Sequence, residues 1–425
     1  MIDIRIIRDN PEFIQKNYLK RRQPELVRKV DEVIELDKKW RLELKKVEEL
    51  NGKRNKASLE VAKLKGKEKE EKISEVRTIK EKIEKQQDKV TKLEDETKKL
   101  LMRLPNIIHD SVPYGKDDTE NVEIRKWGKK RENYHPKSHV DIIEEYDLVD
   151  LENAGKISGA RFYYLKSALT KLDYALMNYA MDQLMNKGFT LIEPPEMMNR
   201  TAYEGVTDLA DFEDVMYKIE GEDLYLIATS EHPLVAMHKD KTFYTEKLPI
   251  KYCGISSCFR KEAGAHGKDM KGIFRVHRFH KIEQIVFCKP EDSWKIHEEL
   301  VKNSEELIQG LEIPYHVVNI CTGDLGIVAA KKYDIEGWFS AQNTYRELVS
   351  GSNCTDYQAR RLNIKYLNEK GEKEHVHTLN CTGLATSRIM VAILENNQEK
   401  DGTIKIPKIL HPYMNGITEI KPVKK

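Results

Sequence analysis

Residues 258–284, CFRKEAGAHGKDMKGIFRVHRFHKIEQ, concentrate the groups most able to do chemistry. Two strand-like pieces flank a glycine-rich loop, 264–272, that contains His266, Lys268 and Lys271. Side chains alternate along a strand, so Arg260 and Glu262 share a face of the first piece, and Arg275, His277, Phe279, Lys281 and Glu283 share a face of the second. A sheet face carrying this many ionisable groups is costly to cover with apolar structure. A polar ligand cavity is therefore better motivated than a purely structural ion-pair network. Arginine forks suit phosphates and carboxylates, and an aromatic ring can stack on a base, which makes a nucleotide the natural ligand class. The chain contains no G-x-x-x-x-G-K-[ST] and no strand-linked G-x-G-x-x-G, so neither common nucleotide-binding loop applies.

The elements that must position these groups lie in the back half of the chain. A helix is expected over about 168–187 and another near 291–310. Strand-like runs surround them: TLIEPP, LYLIATS, PIKYCGISSCF, FRVHRFHKIEQIVF, YHVVNI, YRELVSGS and HVHTLN. Strands gathered together with helices around them predict an α+β domain with a mainly antiparallel sheet. Ahead of it, Pro105 to about Ser158 is rich in Pro, Gly, Asn and Asp and reads as a linker and domain entry.

The front half is built differently. Asn10 followed by Pro11 is a helix start, and a short helix runs to about Arg22 before Pro24. From Val27 no proline occurs until Pro105. Within that stretch Val76, Ile79, Ile83, Val90, Leu93, Leu100 and Leu104 follow a three-four alternation, with Gln86 and Thr97 at its missing steps. Val33, Leu36, Trp40, Val47, Leu50, Ala57, Val61 and Leu64 continue the pattern upstream, interrupted by Glu43 and Arg54. An antiparallel helical hairpin turning near Gly66 is expected, each helix roughly 55 Å long. Residues 51–72 near its tip carry eight Lys or Arg against four Glu, a charge that could grip phosphates.

Bulk properties exclude little but agree. The 425 residues are nearly balanced in charge, at a formal net of +2, so global charge names no partner. Six cysteines without a C-x-x-C pair fit a reduced, cytoplasmic protein, and the start MIDIRIIRDN has no apolar leader segment. No apolar run is long enough for a membrane span. His375 and His377 read as strand residues, and Cys253 and Cys258 as buried sheet cysteines; no zinc site is expected.

Three ordered segments carry a family resemblance. Residues 258–284 resemble motif 2 of the class II aminoacyl-tRNA synthetases, GFTLIEPPEMMN resembles motif 1 with Pro195 as its proline, and GLATSRIMVAILEN resembles motif 3 with Arg388 as its arginine. The linker, LIATSEHPL, YRELVSGSNCTDYQARR and the hairpin narrow the likeness to the seryl-tRNA synthetases, of archaeal and eukaryotic flavour, over essentially the whole chain.

The resemblance implies an N-terminal tRNA-binding domain over 1–104, with its hairpin at about 27–104, a linker over 105–158, and a class II catalytic domain over 159–425. It implies a serine-tRNA ligase that uses ATP and Mg²⁺, grips the long variable arm of tRNA-Ser, and works as a homodimer through motif 1. Arg260, Glu262 and Arg388 would be catalytic. Arg260 would hold the α-phosphate, Glu262 would contact the adenine or the activated amino acid's surroundings, Phe279 and Arg388 would sandwich the adenine, and Arg275 would face the triphosphate. Glu347 and Ser350 would hold Mg²⁺ and ATP; Thr229, Glu231, Arg260, Glu283 and Thr382 would bind serine. Threonine at 382 departs from the serine usual in bacterial members, so only the hydroxyl carries over. Two alternatives stand beside this reading: a seryl-adenylate-forming ligase for a carrier protein, whose known relatives lack the hairpin, and a non-catalytic tRNA-binding paralogue, which would be expected to have lost motif residues.

Overall fold

The computed structural model describes residues 1–131, 134–207, 215–262 and 271–423, which fall into two units, Met1–Ile107 and Ile108–Lys425. In the first unit, α1 (Ile4–Asp9) and α2 (Pro11–Leu19) precede two 37-residue helices, α3 (Glu25–Val61) and α4 (Gly66–Met102). The Asn10 side chain accepts from Phe13 N at 3.2 Å, which caps the helix that Pro11 opens. Gly66 has φ +61°, a left-handed conformation that costs a glycine little and turns the chain between the long helices.

Every residue assigned to the α3–α4 seam, from Val33 to Leu104, is buried or half-buried. Two of the four polar residues in the seam, Glu43 and Gln86, meet each other: Gln86 Nε2 donates to the Glu43 carboxylate. A shared hydrogen bond satisfies groups that the surrounding apolar seam could not. At the base, Ile7, Ile14 and Tyr18 pack against Val30, Val33, Leu101 and Leu104, and the Tyr18 hydroxyl donates to Pro105 O at 2.7 Å. Asp37, with 3% of its side chain exposed, ties Arg8 of α1 to Arg41 of α3. The tip lysines 53, 56, 63, 65, 67 and 69 are all exposed.

The second unit is built on an eight-stranded sheet, labelled here in chain order as β1 (Val122–Trp127), β2 (Thr190–Ile192), β3 (Ile250–Phe259), β4 (Arg278–Cys288), β5 (Tyr315–Asn319), β6 (Lys331–Phe339), β7 (Thr344–Asn353) and β8 (His377–Ala385). Their spatial order is β1-β5-β6-β7-β8-β4-β3-β2, antiparallel throughout except for the β2–β3 pair. Two of these strands were not anticipated. β1 lies within the stretch read as a linker, and β6, KKYDIEGWF, alternates charged with apolar residues.

Three long helices, α5 (Ser167–Asn186), α6 (Ser293–Gly310) and α7 (Thr386–Asn396), join the main core with one face of the sheet, where Ile282, Val286, Leu379 and Cys381 are buried. Each such fully buried side chain contributes about 1.5–3 kcal/mol. The opposite face divides along β4. Ile285 and Phe287 are covered by Leu234, Ala359 and Leu362, whereas Glu283, Lys281 and Phe279 turn to a cavity. No described helix is long and apolar enough to cross a membrane.

Candidate active site

All eleven residues singled out from sequence line one cavity of about 540 Å³. They reach it by four routes. The first is the end of the β3–β4 pair. The ladder stops at Phe259 and resumes at Arg278, so Arg260, Glu262, Arg275 and His277 lie beyond it, where the expected strand alternation does not hold. Glu262 has φ +48°, which breaks an extended run. Specific bonds hold the segments instead: Arg260 N donates to His277 O at 3.0 Å, and His277 Nδ1 lies 2.8 Å from Arg260 O. Arg161 Nη1 donates to Glu262 O at 2.8 Å, and Arg275 Nη1 lies 3.4 Å from the Glu262 carboxylate. The Arg260 guanidinium sits 5.3 Å from the Phe279 ring centre. His266 and Lys268 lie outside the described residues; Lys271 is exposed.

The second route is the β6–β7 hairpin. Glu347 and Ser350 are three residues apart, and strict alternation would send them to opposite faces. A bulge between Ile335 and Glu336 inserts Leu348 as an extra residue, so that Glu347 faces Glu336, Ser350 faces Asp334, and both reach the cavity. Leu348 itself is buried against Gly337, where a Cβ would meet Leu348 Cδ1 at 2.3 Å.

Arg388 arrives from the first turn of α7, as the third route. Its Nη1 donates to Glu347 O at 2.7 Å and lies 3.4 Å from the Glu347 carboxylate, with the guanidinium 5.3 Å from the Phe274 ring centre. Burial pushes the Glu347 carboxyl up, yet Arg388, Lys332 and Arg260 together hold it below the ordinary range, and 46% of the side chain is open to the cavity. Burial raises Asp334, despite Lys332 Nζ at 3.3 Å.

The fourth route joins β4, β8 and the helix Glu231–Ala236. Thr382 faces Glu283 across the β8–β4 pair and donates to its Oε2 at 3.3 Å, while Lys281 Nζ lies 2.5 Å from the same oxygen. Glu231 N donates to Thr229 Oγ1 at 3.2 Å, and Gln358 Nε2 donates to Glu231 Oε1 at 2.9 Å. Burial and then repulsion from Glu283 push the Glu231 carboxyl up to about 7, partly offset by Gln358. Burial pulls His232 down to about 3 and keeps it neutral.

Several lining residues had not been singled out: Lys332, Asn380, Cys354 and Phe274. Lys332 and Asp334 belong to the unanticipated strand β6, and its period-two pattern was the available signal. Asn380 precedes Thr382 by one strand period and shares its face, with Nδ2 3.5 Å from Cys354 Sγ. His375 and His377 are strand residues, the latter with Nδ1 2.9 Å from Ser293 Oγ, and Cys253 and Cys258 are fully buried in β3.

Comparison with known proteins fits this geometry. Residues 1–108 match the seryl-tRNA synthetase N-terminal domain, and residues 215–397 match the tRNA synthetase class II core domain of the G, H, P, S and T group. The chain is 54% identical to a serine–tRNA ligase of Methanocella arvoryzae over 98% of its own length and 99% of that protein's. It belongs to the seryl-tRNA synthetase family.

Among solved seryl-tRNA synthetases, that of Pyrococcus horikoshii complexed with ATP superposes with a TM-score of 0.94 at 50% identity, covering all of both chains. The cytoplasmic serine–tRNA ligase of Naegleria fowleri in complex with AMP superposes at 0.89 and 41% identity, covering 100% of this chain and 99% of that one. The seryl-tRNA synthetase family therefore accounts for both units, the helical hairpin as well as the antiparallel sheet.

Proposed function

We propose that this chain is a serine–tRNA ligase, which joins L-serine to ATP as seryl-adenylate with release of pyrophosphate and then moves the seryl group to the 3′ end of tRNA-Ser. One observation carries the reading: a single cavity joins a cationic end, with Arg260, Arg275 and Arg388, to an end lined by Glu231, Glu283, Thr229 and Thr382. The first suits a triphosphate, the second an amino acid with a hydroxyl.

Adenylate formation is an in-line displacement. A serine carboxylate oxygen bonds to the α-phosphorus as the bond to the bridging oxygen breaks, and pyrophosphate leaves with that electron pair. Such steps are accelerated chiefly by positioning and charge neutralisation. Arg260 would bind the α-phosphate and offset charge gathering there, Arg275 would face the leaving phosphates, and Phe279 with Arg388 would flank the adenine. Glu262 would contact the adenine or the activated amino acid's surroundings. Glu347 and Ser350 supply hard oxygen donors of the kind Mg²⁺ prefers, and the ion would add positive charge against the triphosphate. Glu231 would receive the substrate ammonium while Glu283 and Thr382 meet the hydroxyl. The N-terminal hairpin, with its exposed lysines, would grip the long variable arm of tRNA-Ser. A homodimer is the assembly this reading carries, and the hairpin favours tRNA over a carrier protein as acceptor.

The decisive assay is aminoacylation of total tRNA with labelled serine by the full chain. Charging of a serine-accepting fraction is expected, and no charging of any tRNA would refute the proposal. A pH dependence also follows. Glu231 titrates at about 7, and only its ionised form pairs with an ammonium, so kcat/KM for serine is expected to rise with pH through about 7 and then level off. Glu231→Gln is expected to remove that limb in pyrophosphate exchange; an unchanged limb would assign it to another group.

A further inference from the structure

Lys281 and Glu283 form an ion pair that the proposed chemistry does not yet use. They lie two residues apart on β4, so both side chains leave the same face, and both line the cavity. Their side chains are 8% and 2% exposed, and Lys281 Nζ lies 2.5 Å from Glu283 Oε2. Removing two charges from water is expensive, and an apolar pair of similar volume commonly serves stability as well or better. Retention of the pair at a ligand cavity points to a use there.

The geometry shows what that use is. Thr382 Oγ1 donates to Oε2, the same oxygen that Lys281 approaches. No hydrogen bond from a described residue reaches Oε1. The ion pair therefore does two things at once: it fixes the carboxylate's rotation through one oxygen, and it defines the group as an acceptor by supplying the matching cation. Glu231 and Arg260 from neighbouring segments line the same cavity.

We propose that Lys281 is a positioning residue that sets specificity for the substrate hydroxyl: by holding Glu283 through Oε2, it presents Oε1 as an acceptor-only partner for a hydroxyl donor. This deepens the serine reading and rests on it. A substrate lacking the hydroxyl leaves Oε1 unpaired in a buried site, which penalises alanine strongly. Once Lys281 is removed, Glu283 is free to rotate, the serine hydroxyl loses its fixed acceptor, and serine loses its advantage over alanine. No bond is made or broken at Lys281.

The test uses the full chain carrying Lys281→Met, with Lys281→Gln as a second, polar and near-isosteric variant should the first fold poorly. ATP–pyrophosphate exchange is measured with serine and with alanine as separate substrates. For serine, kcat/KM is expected to fall at least about tenfold, mainly through KM. Alanine is expected to change little, so the serine-to-alanine ratio narrows by a similar factor, while KM for ATP stays unchanged. Lys281→Arg, which keeps the cation, is expected to recover part of the ratio. Equal losses for serine and alanine, or a parallel rise in KM for ATP, would overturn the proposal, because a merely structural role predicts those results. Failure of the underlying reading looks different: the parent chain would then show no serine-dependent exchange, or the exchange would survive in Glu283→Ala.

Discussion

Glu283→Ala is expected to abolish serine-dependent ATP–pyrophosphate exchange, lowering kcat/KM for serine by about 10³-fold or more while leaving ATP binding in place. The carboxylate is 2% exposed and takes a hydrogen bond from Thr382 and an ion pair from Lys281. Its removal deletes the acceptor for the substrate hydroxyl and also leaves a buried ammonium and a buried hydroxyl without their partner, and each loss weakens the site. Stranding the Lys281 charge could also destabilise the protein, so Glu283→Gln, which keeps the shape but loses the charge, is the companion variant. Both are expected to lose serine activation at a temperature where far-ultraviolet circular dichroism and ATP binding match the parent. Near-normal exchange at saturating serine in either variant would remove Glu283 from the substrate site.

Removal of residues 1–107 is expected to separate the two half-reactions. Serine-dependent exchange should persist within a few-fold, because the cavity and the cores around it belong to residues 108–425. Charging of tRNA should fall on the order of 10³-fold or more, the scale on which the loss of several phosphate contacts acts. The cut must include α1 and α2. Excising only 27–104 would strip Ile7, Ile14 and Tyr18 of Val30, Val33, Leu101 and Leu104 and expose an apolar surface, confounding the result with aggregation. Charging by the full chain is expected to weaken as salt is raised, whereas exchange should respond much less. Equal charging by the full and shortened chains would reject the arm's role.

The hairpin was legible because a two-helix seam is a local matter. Each helix repeats its own three-four spacing, so the sequence announces both the contact face and the turn at Gly66. The exceptions are instructive. Glu43 and Gln86 look like errors in the pattern when each helix is read alone, and their pairing appears only when the helices are placed side by side. In the catalytic unit, alternation identified β3 and β4 but placed their ends too far along, since nothing local signals that Glu262 takes a left-handed conformation. Strand β1 was hidden among loop-like residues because an edge strand with a partly exposed face needs no apolar run. Strand β6 was hidden because its alternate positions carry Lys332, Asp334 and Glu336, of which Lys332 lines the cavity, so that charge replaces the apolar half of the pattern.

The sequence by itself determined the class of chemistry around Arg260 to Glu283, the two-helix arm, the α+β catalytic unit, and the resemblance that supplied serine, ATP and tRNA. Only the tertiary structure decided how distant residues converge. The bulge beside Ile335 turns Glu347 and Ser350 to one side, the β8–β4 register sets Thr382 against Glu283, and the first turn of α7 lays Arg388 beside Glu347. It also decided the charge state of the pocket. The rise of Glu231 towards 7 and the fall of His232 to about 3 come from burial and from charges on β4 and on the segment after β3, and residue types alone carry no information about either.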